Sequence, residues 1–318
     1  MSAAEELQDL THYCKATADQ QRLQILRVLS RESFGVLELC SILDVAQPAL
    51  SHHLKILANA ELVETRRQGT SIYYRRALVH LDDPFRGLRQ SLFDTMDQTS
   101  INQKVEARIK TIYDTRHTQA KSFFEKNAHL FQENQNLIAE YADYSQCITD
   151  VLDNEQFNTT DTVVEVGPGD SDLILALADR FAHITAIDNN QEMLGKSRIK
   201  SAINDKKNVT FQSGELHDFQ GSCELIVLNM VLHHLAAPVN FFHVAKRCLS
   251  SQGKILIIEL CAHDQDWTRD TCGDLWLGFD PAELDTWAMA AGFKQGQSVY
   301  LGLKNGFQVQ VRTYQPEE

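Results

Sequence analysis

Val163-Val164-Glu165-Val166-Gly167-Pro168-Gly169-Asp170-Ser171 ends a β-branched run on a glycine-containing bend, and a helical pattern follows it. Glycines at such a bend let a ligand approach the backbone, and the N–H groups that open a helix supply donors. Working outward, further β-branched runs recur at 184–187, 209–212, 225–228 and 254–258, with helical stretches between them. This alternation predicts βαβ units, a parallel sheet and helices on both faces. Asp188 follows the second run, about twenty residues beyond the bend, where a carboxylate can accept hydrogen bonds from both hydroxyls of a ribose. The tail, 296–303 and 306–313 around Asn305-Gly306, reads as a final strand pair.

Upstream the pattern is different. Leu23, Ile25, Leu26, Val28 and Leu29 mark a helix with Asp19 as N-cap, and a short apolar helix follows at 36–43. A second helix runs through Gln47-Pro-Ala-Leu-Ser-His-His-Leu-Lys-Ile-Leu, with Pro48 in its first turn. Short strands at 62–66 and 71–75 flank Gln68-Gly69 as a hairpin tip. Helix, turn, helix and a two-stranded wing form a winged helix-turn-helix. At 100° per residue, Leu50, Leu54 and Leu57 fall on one side of the second helix, and Gln47, Ser51, His52 and Lys55 on the other. The polar side suits base edges in a major groove, whereas Arg66, Arg67, Arg75 and Arg76 on the wing suit phosphates. Between the two regions, 83–157 is helical and polar, a connector or a dimer-forming element. The expected domains are therefore 1–82, 83–157 and 158–318.

Charge placement supports this division. The net charge is −13, yet residues 1–90 carry 11 Lys/Arg and 11 Asp/Glu, so the acidity lies entirely beyond them. Residues 47–80 are locally basic, and local charge decides whether phosphates are attracted. The seven cysteines are dispersed without a CxxC and read as reduced thiols. No run of eighteen apolar residues suggests a membrane span, and the first residues do not read as a signal peptide, so the expected compartment is the cytoplasm.

Two resemblances follow from these motifs. Residues 17–77, through Thr17-Ala-Asp-Gln-Gln-Arg-Leu-Gln-Ile-Leu, Leu50-Ser-His-His-Leu-Lys-Ile-Leu and Arg66-Arg-Gln-Gly-Thr-Ser-Ile-Tyr-Tyr, resemble the ArsR/SmtB winged-helix repressors. The resemblance implies a homodimer on double-stranded operator DNA. Metal-sensing members carry a Cys-x-Cys in the third helix; here Cys40 is followed by Ser41 and Ile42, so no metal site is expected. Residues 158–315 resemble class I S-adenosylmethionine-dependent methyltransferases of the ubiquinone/menaquinone branch, with a Rossmann-like seven-stranded sheet. Their first motif falls on Glu165, Gly167 and Gly169, with Ser171 replacing its last glycine. The same resemblance assigns Asp188 to the ribose, Met193 to packing on adenine and Glu215 to the adenine amino group, with Asn189 and Gly214 as further cofactor-binding residues. Asn229, His233 and His234 follow the fourth strand as candidate catalytic groups, with Asn229 also beside the cofactor.

Methyl transfer from a sulfonium is an in-line displacement of an activated leaving group, so a protein chiefly supplies orientation. An oxygen or nitrogen acceptor would also call for a base, and histidine suits that work. Glu259, His263, Asp264 and Arg269 lie near the fifth strand, and Trp267 and Trp276 are candidate walls of an acceptor pocket. Two readings stand side by side: a regulator whose second domain senses S-adenosylmethionine or S-adenosylhomocysteine, and a working methyltransferase with a DNA-binding head.

Overall fold

The computed structural model describes residues 3–30, 32–68, 71–79 and 83–317, so the expected hairpin tip at Gly69 lies outside the described residues. The chain divides into two compact units, Met1–Thr115 and Arg116–Glu318.

The first unit runs α1 (Ala3–Thr17), α2 (Gln20–Val28), β1 (Phe34–Gly35), α3 (Val36–Leu43), α4 (Gln47–Asn59), β2 (Val63–Gln68), β3 (Ser71–Arg76) and α5 (Arg86–Asp97). Asp19 caps α2, its side chain accepting the Arg22 N–H at 2.9 Å. Glu38 reaches back from α3 to the Gly35 N–H at 2.8 Å. Leu50, Leu54 and Leu57 of α4 are fully buried against Ile25, Leu26, Leu39 and Ile42. Burial of each such side chain contributes about 1.5–3 kcal/mol, and this apolar stripe fixes which face of α4 is left outside. The sheet is antiparallel with order β1-β3-β2. Its first strand has only two residues, too few for an alternating pattern to show in the sequence.

Helix α6 (Gln103–Asn127) contains the division between the units. Ile109 of α6 joins Phe93 and Met96 of α5 in the first core. The second unit continues with α7 (Phe131–Asn136) and α8 (Tyr141–Asn154), and α8 sends Tyr144, Ile148, Val151 and Leu152 into the second core. The polar helical stretch thus contributes apolar residues to both cores.

Then follow β4 (Thr162–Val166), α9 (Leu173–Arg180), β5 (His183–Asp188), α10 (Gln191–Ile203), β6 (Val209–Ser213), β7 (Cys223–Asn229), α11 (Pro238–Cys248), β8 (Leu249–Leu260), α12 (Trp267–Cys272), α13 (Pro281–Ala290), β9 (Phe293–Gly302) and β10 (Gln308–Pro316). One seven-stranded sheet has the order β6-β5-β4-β7-β8-β10-β9, parallel from β6 to β8, with β10 antiparallel to both of its neighbours. Val163, Leu225, Val227, Leu256 and Ile258 join the core cluster that holds α8 and α9. On β10, Tyr314 meets Phe242 of α11 edge to face. Strands covered on both faces must be apolar on both, which is why β7 and β8 read as continuous apolar runs. Among the described residues no helix is long and apolar enough to cross a membrane.

Candidate functional site

In the first unit, the buried leucine stripe of α4 leaves Gln47, Ser51, His52 and Lys55 exposed. His53 is half-buried with Nδ1 3.9 Å from Asp19, which sets it apart from the exposed face. On the wing, Arg67 is exposed and Arg66 partly so. Arg75 is paired with Glu64 at 2.8 Å and Arg76 with Asp97 at 2.6 Å. Much of the charge expected from Arg75 and Arg76 is therefore held within the unit, a pairing the sequence reading did not foresee.

In the second unit, the carboxyl ends of β4, β5, β6 and β7 lie side by side because the strand order places β4 between β5 and β7. The loops that leave them are tied to one another. Gly167 N–H donates to Ile187 O at 2.8 Å, and Gly214 N–H donates to Asp188 O at 3.0 Å. Asn229 Nδ2 donates to Ser171 Oγ at 3.1 Å, while Asn189 Nδ2 lies 3.5 Å from Glu215 Oε1. Gly167, Ser171, Asp188, Asn189, Gly214, Glu215 and Asn229 thus line one rim through these contacts, with Glu165 near the end of β4 and Gly169 in the bend. Met193 sits in the first turn of α10, its side chain buried and its N–H held by the Asn190 side chain at 3.1 Å.

The bend requires glycine for a definite reason. Gly167 has φ +64°, and a Cβ there would stand 2.7 Å from Val231 Cγ2. The left-handed conformation alone costs an L-residue roughly 1–2 kcal/mol. Gly167→Ala is expected to lower the melting temperature of the second unit by several degrees, at about 2–4 °C per kcal/mol, checked by calorimetry. An unchanged transition would mean that the bend tolerates a side chain.

Burial pushes the Glu165 carboxyl up to about 8, with Lys200 pulling weakly downward. Both its oxygens are buried without a hydrogen-bond partner. Such a carboxyl is satisfied by a donor that arrives with a ligand, a primary ammonium above all. Burial also raises Asp188, to about 6, partly offset by the Asn190 N–H that its Oδ1 accepts at 2.8 Å. One carboxylate oxygen of Asp188 therefore shapes the turn into α10. Asn229 Oδ1 is a further buried acceptor without a partner. These orphaned acceptors fit the ammonium and hydroxyl donors of a nucleoside that carries a free amino-acid group.

Three contributors were not legible beforehand. The Tyr144 hydroxyl of α8 lies beside the Asn229 side chain and is pushed upward chiefly by burial. Tyr141, one turn earlier, is raised to about 12 by burial and by the nearby Glu165. Their spacing of three on a helix was the available signal, hidden in a stretch read as connector. His117 of α6 sets Nδ1 3.5 Å from Glu215 Oε1, both side chains being partly exposed.

His233 and His234 lie past β7 with their rings 4.1 Å apart. The His233 side chain has no solvent exposure; Nδ1 is 2.5 Å from Glu259 Oε1, and Nε2 is 3.6 Å from Asp274 Oδ1. Burial pulls the His233 imidazolium down, but Glu259 and Asp274 outweigh it and raise it to about 9. His234 is driven the other way, by burial and by its cationic neighbour. Trp276 is buried with Nε1 donating to Leu235 O at 2.8 Å, and Trp267 is 36% exposed against Phe307. His263 packs on the Phe307 ring.

Comparison with known proteins agrees with this geometry. Residues 157–292 match the family model of a methyltransferase domain, and residues 19–65 match that of the bacterial regulatory protein, arsR family. The arsenical resistance operon repressor of Staphylococcus aureus is 32% identical over 99 residues, which is 31% of this chain and 93% of that protein. The transcriptional repressor SmtB homolog of Synechocystis sp. is 32% identical over 88 residues, 28% of this chain and 67% of that protein. A chain from the complex between the Haloferax volcanii Trm112 methyltransferase activator and a methyltransferase superposes with TM-score 0.50 at 15% identity, covering 63% of this chain and 98% of that one. At that identity the likeness is one of fold. The winged helix, its matched family and the relatives it nearly spans lead to one conclusion: this chain belongs to the arsR family of bacterial regulatory proteins, and a methyltransferase domain follows its winged helix.

Proposed function

We propose that this protein is a cytoplasmic, dimeric, operator-binding regulator whose second unit binds S-adenosylmethionine or S-adenosylhomocysteine as an effector. The observation that carries the reading is the use made of α6, which supplies Ile109 to the winged-helix core and His117 to the rim of the nucleotide-type site. A ligand that reorganises Glu215 would act on His117, and thereby on a helix that the DNA-reading unit also needs for its packing. Ligand and DNA affect each other only if each favours one arrangement of the chain over another.

In this reading Asp188 and Asn189 hold the ribose, Glu215 and Gly214 face the base, and Glu165 with Asn229 meets the amino-acid end. Gln47, Ser51, His52 and Lys55 read base edges, and Arg66 and Arg67 meet phosphates. The cofactor, when bound, supplies an activated methyl group; the chain binds, orients and excludes water. Effector binding is favoured over turnover because neither candidate imidazole is open to an acceptor: the His233 side chain has no exposed surface and is engaged by Glu259 and Asp274, and that of His234 is 8% exposed.

A duplex selected from a random pool by the full chain provides the test. Its affinity is expected to differ by about 5–150-fold between saturating S-adenosylhomocysteine and ligand-free protein, the usual span of a coupling free energy. Identical titrations would remove the sensor reading. Methylated product from a panel of phenols, amines and thiols in the same tube would instead favour an enzyme.

A further inference from the structure

The His233, His234 and Asp274 side chains converge, each offering one ligand atom, with those atoms all within 4.8 Å of one another. His233 and Asp274 have no exposed side-chain surface, and that of His234 is 8% exposed. His233 Nε2, His234 Nε2 and both carboxylate oxygens of Asp274 are buried without a hydrogen-bond partner. Thr268 lies beside Asp274, but its hydroxyl donates to Gln265 O at 3.2 Å.

The orientation of His233 is set from outside the cluster. Glu259 Oε1 also accepts the Leu260 N–H at 2.7 Å, and its Oε2 accepts the His233 N–H at 3.1 Å. Its carboxylate is thereby fixed as an acceptor for an Nδ1–H of His233, which turns Nε2 toward Asp274 at 3.6 Å. Whatever fills that gap has to be cationic, either the proton of a charged His233 or a metal ion. A single proton would satisfy one oxygen and Nε2, leaving the other carboxylate oxygen and the His234 nitrogen bare. One divalent ion satisfies all three side chains together.

We infer that His233, His234 and Asp274 form a site for a divalent transition-metal ion, zinc by ligand type, with Glu259 as the carboxylate behind His233. Two imidazoles and one carboxylate suit zinc and its first-row neighbours. Ligand atoms around tetrahedral zinc stand about 3.3 Å apart, given bonds of about 2.0–2.1 Å. The 3.6 Å from His233 Nε2 to Asp274 Oδ1 needs only a small contraction; His234 Nδ1 stands 3.9 Å from the same oxygen and 3.3 Å from Gly273 O, and the three ligand atoms close on one ion from within 4.8 Å. The Glu259–His233 pair matches the carboxylate–histidine–metal arrangement, in which the outer carboxylate fixes tautomer and ring orientation. Phe124 packs edge-on against His234 with centroids 4.9 Å apart, an apolar cover of the kind that limits solvent access. The ion would join the segment after β7 to the loop after α12.

The test uses the full chain, stripped with chelator, given zinc chloride and desalted, with zinc measured by mass spectrometry. One zinc per chain is expected. His234→Gln and Asp274→Asn are each expected to weaken retention at least tenfold, and Glu259→Gln by roughly 10–100-fold. Cys40→Ser should leave it unchanged. Zinc absent from the wild type, or kept equally by the folded ligand variants, overturns the site. Should those variants fail to fold, cobalt added to the stripped wild type decides. A visible spectrum of tetrahedral cobalt without thiolate charge transfer supports the site, and a thiolate band or no binding overturns it.

Discussion

Asp188→Ala is expected to weaken S-adenosylhomocysteine binding at least about 100-fold by calorimetry, with the second unit still folded by circular dichroism. Two ribose hydroxyls donating to one carboxylate make two charge-assisted bonds, each contributing about 1.5–3 kcal/mol. The variant also loses the Asn190 N–H contact, so a fold check belongs to the measurement. Retained affinity would reject the ribose assignment.

The same carboxyl predicts a pH dependence whose sign can be worked out. In the folded chain Asp188 is raised to about 6 from an ordinary 3.8. Between those values the folded state keeps a proton that the unfolded chain has lost. The contribution of this group to stability therefore falls as pH rises through that window, and stays lowered above it. Ligand binding runs the opposite way, because hydroxyl donors favour the ionised form. The Asp188 part of the affinity is expected to be complete above about pH 6 and to fall up to about tenfold per pH unit below it, while ionisation of Glu165, raised to about 8, adds a separate rise at higher pH. Asp188→Asn should flatten this dependence as well as lower the affinity. A wild-type profile that is flat between pH 5 and pH 7 would mean that ligand and carboxylate do not meet.

What could be read beforehand follows from how local each signal is. The bend at Gly167–Gly169 and the apolar runs of β7 and β8 are local patterns, because a strand covered on both faces has to be apolar throughout. The α4 stripe was equally legible, since Leu50, Leu54 and Leu57 recur at helical spacing. The His233–Glu259–Asp274 grouping was not. It joins the segment after β7, the end of β8 and the loop after α12, and no periodicity links residues so far apart in the chain. Tyr144 was missed for a related reason: a polar stretch shows its buried face only when a second core exists to receive it. On the wing, the sequence counted arginines but could not show that β2–β3 pairing sets Glu64 opposite Arg75.

That pairing shapes the second large effect. Double replacement Arg66→Ala and Arg67→Ala is expected to weaken binding of a mixed-sequence duplex roughly 100-fold or more at low salt, two charge-assisted phosphate contacts being worth about 1.5–3 kcal/mol each. Each phosphate neutralised contributes a slope of about −0.9 to log K against log salt, so the double variant should lose about 1.8 from that slope. Arg75→Ala is expected to change the slope far less, because its guanidinium is already 2.8 Å from Glu64 and brings little unpaired charge to the DNA. Lys55 and Gln47, exposed on α4, belong to a different class: contacts to base edges change which sequence is preferred more than they change salt dependence. Salt titrations of the two variants therefore separate the parts of the wing. Equal slopes for the wild type and the Arg66/Arg67 double variant would remove these two residues from the interface, whereas a large drop for Arg75→Ala would mean that its pairing with Glu64 opens when DNA arrives.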